Sequence, residues 1–490
     1  MTKYLKSFYW IILAVCPGWG CAQVAVSQYQ TVEQFIEDPC FSSAGIGISV
    51  FDLSADSFII DFGGTSALPP ASTLKVLSSA AALKILGHDY RFRTEIGYSG
   101  EIKEGTLEGD LIIIGKGDPT LGSLQFTGKT DSTFLQHVKS ILDRSGIRKV
   151  NGRIVGDASF YPASVIPRTW PYQDMGNYYG SFCAGLNYHD NLYFLSFQQP
   201  SKPGTPVTNF TISPEVPRLT IESLVRAGTA GSGDQAYIMG APFQINRFVI
   251  GTIPAGSRYF TIKGSVPDPA LFCANAVKSY LQSTEIFVTG ESVSTYIPLH
   301  MDLKIMDTLW SPSLNEVIKI TNQKSVNLFA EALGQYLSSV ISLEDIGKDW
   351  LVSYWSEQGI DMSGAHFSDF SGLAPDNAIS PQTMVKVLER MFDGPASQWD
   401  DFLASLAVAG VSGTMKSLLS QSRARGRIFA KSGLISGVRN YCGYIAGDDD
   451  QWYAFSVFTY NATCGGQQVR KKLEHLLETL YLSLIKDPSE

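Results

Sequence analysis

The chain contains no run of basic residues, and its overall charge is negative. It has 38 lysines and arginines against 46 acidic side chains, a formal net charge of −8 at pH 7. Proteins that bind nucleic acid usually carry a basic patch or stripe. The composition therefore argues against a nucleic-acid partner.

Metal-binding motifs are missing as well. The six histidines are scattered, and neither a His-Glu-x-x-His motif nor a Cys-x-x-Cys pair occurs. These are spacings that gather ligands around a metal ion. We therefore expect neither a metal nor another cofactor.

The sequence also lacks the Gly-x-Ser-x-Gly motif that carries the nucleophile of many Ser-His-Asp hydrolases. A nucleophilic serine in this chain would need a different base. A lysine can serve if it loses its proton, since burial and a neighbouring positive charge both lower a lysine pKa.

The first 22 residues are predicted to be a secretory signal. Two lysines precede an apolar stretch, residues 8–16, which is short for a membrane span, and small residues follow up to Ala22. Bulky Trp19 makes lipidation at Cys21 the poorer alternative. We expect export across the inner membrane to the periplasm or cell envelope, with at most peripheral membrane association.

Five cysteines follow the predicted cleavage site. Because five is odd, at least one is unpaired within the chain, and the spacing assigns no disulfide. They are Cys40, Cys183, Cys273, Cys442 and Cys464.

The two ends of the chain share one pattern of predicted helices and strands. Residues 44–62 alternate as a hairpin that turns at 54–56, and an apolar helix follows over 70–87. Near the C-terminus, a sheet is predicted from two strands, 427–447 and 452–461. Helices are predicted over 312–341, broken near 323–325, and over 343–358, 381–393 and 467–485.

The helix at 467–485 has a leucine-rich stripe, for which core packing and a membrane-surface anchor are both possible interpretations.

The middle of the chain has a different pattern of predicted secondary structure. Residues 91–290 show short strands and glycine-rich turns, with one helical stretch near 132–144 and a loop near 199–217. We predict that this region is inserted into a domain formed by residues 23–90 and 291–490. The insertion could comprise two nested subdomains.

A serine and a lysine stand one helical turn apart at the start of the first predicted helix. Ser72 and Lys75 belong to the sequence PASTLK, and an apolar helix follows. Residues three apart share a helix face, so a nucleophile and its base could meet here. The alternative is a helix-capping serine beside a solvated lysine.

Two further motifs favour the catalytic interpretation. Ser325-Val326-Asn327 lies at a predicted junction between helices, and Lys431-Ser432-Gly433 opens a predicted strand. Gly433 would leave room for a ligand along that strand. Ser-x-x-Lys, Ser-x-Asn and Lys-Ser/Thr-Gly in this order are typical of penicillin-binding proteins and β-lactamases.

The sequence resembles the D-alanyl-D-alanine carboxypeptidase/endopeptidase family, the class C low-molecular-mass penicillin-binding proteins. The likeness covers nearly all of the chain beyond the signal and includes PASTLKVLSSAAAL, GDLIIIGKGDPTL, GRIVGDASFY, DFSGLAPDN and FAKSGLISGVRNYCGYIAG. It implies an α+β transpeptidase domain like that of β-lactamases, an antiparallel sheet flanked by helices, with a large β-rich insertion.

The resemblance also implies roles for individual residues. Ser72 would be acylated with Lys75 as its base, and Ser325 would relay a proton to the departing amine. Asn327 is expected to bind the peptide amide of the substrate, and Lys431 and Ser432 its terminal carboxylate. Gly433 and Leu434 are expected to contact the substrate along the strand. The N–H groups of Ser72 and Leu434 would form the oxyanion hole.

Three positions bear on substrate preference. Ser432 replaces the family's commoner threonine but keeps the hydroxyl. Pro375 stands near the place of a family arginine, which leaves the preference for the third stem-peptide residue open. Asp174 matches an acid of the insertion that can meet the substrate's distal ammonium.

We therefore expect a serine DD-peptidase that acts on peptidoglycan stem peptides and is covalently inhibited by β-lactams. The alternatives are a β-lactamase-like hydrolase and a catalytically silent wall-binding homologue.

Overall fold

The computed structural model describes residues 30–128, 130–161, 166–300, 302–341 and 349–485. The predicted signal and Cys21 lie outside these ranges. Within them we find no helix with the length and hydrophobicity that crossing a membrane requires.

The elements alternate between helical and β-rich stretches. The strands are β1 (Gly45–Asp52), β2 (Ser57–Phe62), β3 (Arg93–Tyr98), β4 (Glu101–Lys103), β5 (Thr106–Glu108), β6 (Leu111–Gly115), β7 (Lys149–Val150), β8 (Ile154–Asp157), β9 (Leu192–Gln198), β10 (Phe210–Ser213), β11 (Thr220–Ser223), β12 (Arg226–Gly228), β13 (Gln235–Met239), β14 (Asn246–Pro254), β15 (Tyr259–Ser265), β16 (Phe287–Val288), β17 (Ser292–Thr295), β18 (Lys304–Trp310), β19 (Ala407–Val408), β20 (Ile428–Ile435), β21 (Val438–Ala446) and β22 (Trp452–Tyr460). The helices are α1 (Lys75–Leu86), α2 (Asp131–Arg144), α3 (Tyr172–Met175), α4 (Pro269–Ser283), α5 (Leu314–Lys324), α6 (Asn327–Ile341), α7 (Asp349–Glu357), α8 (Pro381–Phe392), α9 (Ala396–Ser405) and α10 (Gly466–Leu484).

The two ends of the chain form one antiparallel sheet of six strands, in the order β19-β20-β21-β22-β1-β2. Strand β1 joins the N-terminal hairpin to the C-terminal strands, because it pairs along its length with β22, from Gly45 opposite Tyr460 to Asp52 opposite Tyr453. A disulfide between Cys40 and Cys464 joins the same two ends. The other three cysteines of the described residues are free and buried: Cys183, Cys273 and Cys442.

Helices cover both faces of this sheet, so its strands are buried on both sides. Along β22, Ala454 and Phe458 face the core that contains α1, whereas Phe455 and Val457 face the core that contains α10. The leucine stripe of α10 is buried in that second core, so the core-packing interpretation is confirmed.

Residues between α1 and α5 form the other sheets. The largest has five strands in the order β17-β8-β6-β3-β18, and three smaller sheets contain β4–β5 with β7 and β16, β9–β10 with β15, and β11–β14. Two sequence predictions were wrong here. Residues 269–283, predicted to belong to the β-rich region, form α4, whose alanine-rich apolar face packs against β8 and β17. Part of the predicted loop at 199–217 is strand β10, which pairs with β9. The segment 427–447 also forms two strands rather than one, because it turns at Ser436-Gly437.

The division into domains remains a prediction, with one change that we propose. Strands β17 and β18 follow residue 290 but pair with β8 and β3. We therefore propose that the insertion continues to about the end of β18 at Trp310.

Candidate active site

Ser72 lies in a 3-10 turn, Ala71–Leu74, that leads directly into α1. Ser72 is not the N-cap of either element, since Pro70 is the N-cap of the turn and Leu74 that of α1. Instead, Lys75 Nζ donates a hydrogen bond to Ser72 Oγ over 2.9 Å. The structure thus pairs the two side chains that the sequence predicted to meet.

Lys75 is fully buried and has two further hydrogen-bond acceptors. Its Nζ lies 2.7 Å from Asn327 Oδ1 and 2.6 Å from the carbonyl oxygen of Ser371. Both of these oxygens can only accept, so Ser72 is the one partner among the three that can give a proton. When Lys75 is neutral, its lone pair is therefore directed at the Ser72 hydroxyl.

The charge of Lys75 depends on its burial. Burial lowers the pKa of Lys75 to about 7, while the carboxylates of Asp369 and Glu331 oppose that change by raising it. A neutral amine is consequently well populated near pH 7, as a general base requires.

The same two carboxylates hold the loop that presents Ser371. Glu331 accepts the N–H of Ser371 over 2.8 Å, and Asp369 accepts the N–H groups of Gly372 and Ala374, each over 2.7 Å. The sequence analysis missed Asp369 and Glu331, although DFSGLAPDN was among the motifs of the resemblance.

Ser325 and Lys431 form a second pair beside the first. Ser325 ends α5 in the left-handed conformation, with a φ of 59°, which turns its side chain out of the helix. Lys431 Nζ donates to Ser325 Oγ over 2.9 Å and to the carbonyl of Ser432 over 2.7 Å. Burial lowers the pKa of Lys431 well below its ordinary value, and the positive charge of Lys75 lowers it further.

Asn327 links the two pairs to the inserted region. While its Oδ1 accepts from Lys75, its Nδ2 donates to the carbonyl of Tyr179 over 2.7 Å. The second hydrogen on Nδ2 is available for a ligand.

Gly433 also permits a close backbone contact that the sequence did not predict. A Cβ at this position would lie 2.7 Å from the carbonyl oxygen of Pro70 and 3.2 Å from Ala71 Cβ. The glycine therefore lets β20 approach the turn that carries Ser72. This approach brings the backbone at Leu434 beside Ser72, as an oxyanion hole needs.

Gly433→Ala is expected to lower kcat for D-alanine release by about 100-fold, because pushing β20 away from the turn misplaces the oxyanion donor. Steady-state kinetics on a D-Ala-D-Ala peptide measure this. Gly466→Ala, at a glycine with open space around it, is the control and should keep wild-type kcat. Unchanged kcat in Gly433→Ala would contradict the role of the close approach.

Ser72, Ser325 and Asn327 line one cleft of about 900 Å³, whereas Lys75 and Lys431 are fully buried and are not part of its lining. Asp174, on α3, lies on the wall formed by the insertion, where Tyr179 Oη donates to its Oδ1 over 3.2 Å and burial raises the pKa of the carboxyl. Pro375 is exposed on the loop that follows Leu373, a residue of the cleft lining. The predicted site residues on this lining are Ser72, Asp174, Ser325, Asn327, Ser432, Gly433 and Leu434.

Residues 28–480 match the model of the D-Ala-D-Ala carboxypeptidase 3 (S13) family. The chain belongs to that family. The match takes in the whole of the sheet, the helical layers and the insertion, so the family and enzyme class expected from the motifs are confirmed. Which residues of this S13 enzyme perform which step stays a prediction.

Relatives of the S13 protein are similar over most of their length. A D-alanyl-D-alanine carboxypeptidase of an Actinomadura species is 26% identical over 446 residues, which are 87% of this chain and 80% of the relative. The crystal structure of penicillin-binding protein 4 from Haemophilus influenzae has a TM-score of 0.78 at 23% identity and covers 93% of this chain and 99% of its own. The same protein complexed with a β-lactam has a TM-score of 0.74 at 22% identity, with 94% and 100% covered. The α+β fold with its insertion is thereby confirmed.

Proposed function

We propose that the protein removes the terminal D-alanine from peptidoglycan stem peptides through an acyl-enzyme on Ser72. The observation that carries the proposal is the hydrogen bond from buried Lys75 to Ser72. The other two acceptors of the Lys75 amine cannot supply a proton. It favours proton transfer from the hydroxyl to the amine as Ser72 attacks.

In the first half of the reaction, Ser72 Oγ bonds to the carbonyl carbon and its proton passes to Lys75. The carbonyl oxygen takes up the negative charge, which the N–H groups of Ser72 and Leu434 stabilise. The C–N bond then breaks, and the amine of D-alanine leaves with a proton relayed through Ser325. Water hydrolyses the ester, with Lys75 again accepting a proton.

Three groups would hold the substrate. Lys431 and Ser432 bind the terminal carboxylate, and Ser432 Oγ is positioned by Thr414 Oγ1 at 2.8 Å. Asn327 Nδ2 donates to the peptide amide, and Asp174 accepts a distal ammonium of the stem peptide.

The site of action would be the periplasm or cell envelope, where peptidoglycan is accessible. β-Lactams would acylate Ser72 in place of the peptide, in line with the β-lactam complex of the Haemophilus protein.

The direct test is the release of D-alanine from an acetylated tripeptide ending in D-Ala-D-Ala, with the D-Ala-L-Ala peptide as control. Release from the first alone is expected, and release from neither would overturn the proposal. Digestion of cross-linked muropeptides shows whether D-alanyl cross-links are cut as well.

Labelling with a fluorescent penicillin separates the alternatives. A lasting adduct supports the peptidase, rapid turnover the β-lactamase, and no labelling a catalytically silent protein.

Lys431→Met is expected to move the pH dependence of acylation. A carboxylate bound at Ser432 stabilises Lys431 as an ammonium, and repulsion between the two lysines then lowers the pKa of Lys75. Because the neutral amine is the base, acylation rises with pH, and losing the charge at 431 should shift that rise to higher pH. The measurement is the single-turnover acylation rate at saturating chromogenic β-lactam between pH 5 and 10.

Lys431→Arg keeps the charge and is the matched control for Lys431→Met. It should hold the rise close to the wild-type pH even if its rate is lower. A rise at the same pH in all three proteins would mean that Lys431 only anchors the carboxylate.

A further inference from the structure

Two arginines lie at the edge of the cleft, on the face of the sheet that α10 covers. Arg439 is on β21, and Arg470 is on α10. Both belong to the lining of the cleft that contains Ser72. Neither has a role in the reaction proposed above.

The strand register places Arg439 beside the substrate-binding strand. In the β20–β21 pair, Ser432 is opposite Tyr441 and Leu434 is opposite Arg439. Directly opposed residues of an antiparallel pair share a face. Arg439 therefore projects on the same face as Ser432, the proposed carboxylate anchor, and as Leu434, whose side chain is 61% exposed.

The edge of β20 at this point is open to a ligand. Its outer neighbour, β19, has only two residues, which pair with Ala430 and Phe429. Beyond Ala430 an extended peptide can lie along β20, as peptides do at exposed sheet edges. Such a peptide would pass Ser432 and Leu434, within reach of the Arg439 side chain.

The two guanidinium groups have no carboxylate within ion-pair distance among the described residues. Arg439 Nε is buried and has no hydrogen-bond partner there. Arg470 donates to the neutral hydroxyl of Ser417 over 2.6 Å, and neither arginine forms an ion pair with a described residue. Glu474, one turn after Arg470, accepts the N–H of Leu419 over 2.6 Å.

Tyr441 shows that the two charges act at one place. Burial raises the pKa of its phenol. The positive charge of Arg439, a hydrogen bond to Arg439 and the positive charge of Arg470 oppose that rise, while the negative charge of Glu474 adds to it. Two cations against the single nearby carboxylate of Glu474 leave an excess of positive charge beside an open strand edge, which attracts an anion, and the planar guanidinium suits a carboxylate.

We propose that Arg439 and Arg470 form a carboxylate-binding subsite for the peptide that lies along β20. This inference rests on the proposed function. Its ligand is either the terminal carboxylate, shared with Ser432, or an acidic side chain on the acyl side of the scissile bond.

The test uses Arg439→Gln and Arg470→Gln with two acetylated tripeptides, L-Glu-D-Ala-D-Ala and L-Gln-D-Ala-D-Ala. Wild-type release of D-alanine from the Gln peptide first establishes the proposed function on its own. Losing a hydrogen bond to a charged group should then lower kcat/KM about tenfold. A loss confined to the Glu peptide identifies the acyl-side carboxylate, and an equal loss with both peptides identifies the terminal one.

Arg439→Lys should recover part of the lost kcat/KM, which a merely structural role would not predict. Arg258→Gln, at an exposed arginine of the insertion, is the matched control and should match wild type with both peptides. If wild type is active and both cleft variants also match it on both peptides, the subsite does not exist.

Discussion

Ser72→Ala is expected to abolish both fluorescent-penicillin labelling and D-alanine release while the protein remains folded. The hydroxyl is the only group of this turn placed to attack, and without it no acyl-enzyme can form. Ser72 is the N-cap of neither the 3-10 turn nor α1, so the free energy of unfolding should change by no more than about 1 kcal/mol. Gel fluorescence and a D-alanine assay measure the activity, and thermal melting measures the stability.

A matched serine variant separates this effect from general damage. Ser54→Ala, in the exposed turn between β1 and β2, should label and hydrolyse as wild type does. A covalent penicilloyl adduct on folded Ser72→Ala would show that another residue is the nucleophile.

Lys75→Arg is expected to slow β-lactam acylation by about 10³-fold or more, although it conserves the positive charge. An arginine is not deprotonated in a protein, so it cannot accept the proton of Ser72, and general-base catalysis is typically worth 10² to 10⁴ in rate. If Lys75 only formed hydrogen bonds to Asn327 and Ser371, the arginine would retain much of the activity. The acylation rate with a chromogenic β-lactam distinguishes the two cases.

Overpacking is a separate consequence of an arginine in a buried site, so a second variant is needed. Lys75→Met has a similar volume and no base, and it should be as inactive as the arginine variant while melting near wild type. Lys84→Arg, on the same helix, is the matched control and should acylate normally. Rapid acylation by either variant at position 75 would rule out Lys75 as the base.

The sequence predicted the centre of the site because its residues act at short range or in recognised motifs. Ser72 and Lys75 are one turn apart, and the order of the three motifs pointed to a common cleft. The bounds of α8 and α10 also followed from apolar periodicity, whereas α4 and α9 were not predicted.

What the sequence could not provide depends on contacts between distant segments. Asp369 and Glu331 act by holding the backbone around Ser371, and no local pattern marks that task. The close approach of β20 to Pro70 at Gly433 exists only in the folded protein, so the sequence did not predict it. The face shared by Ser432 and Arg439 depends on the turn at Ser436-Gly437, which divides a segment first predicted to be a single strand.

The pairing of β1 with β22 has a consequence for the order of synthesis. Strand β1 leaves the ribosome early, yet its partner ends at Tyr460, near the other end of the chain. Pairing between such distant segments first costs the entropy of closing a long loop, and the favourable contacts form only afterwards. Ser72 is therefore made long before the sheet that brings Lys431 to it, so the nascent chain carries the proposed nucleophile without a complete active site until β20 to β22 have also been made.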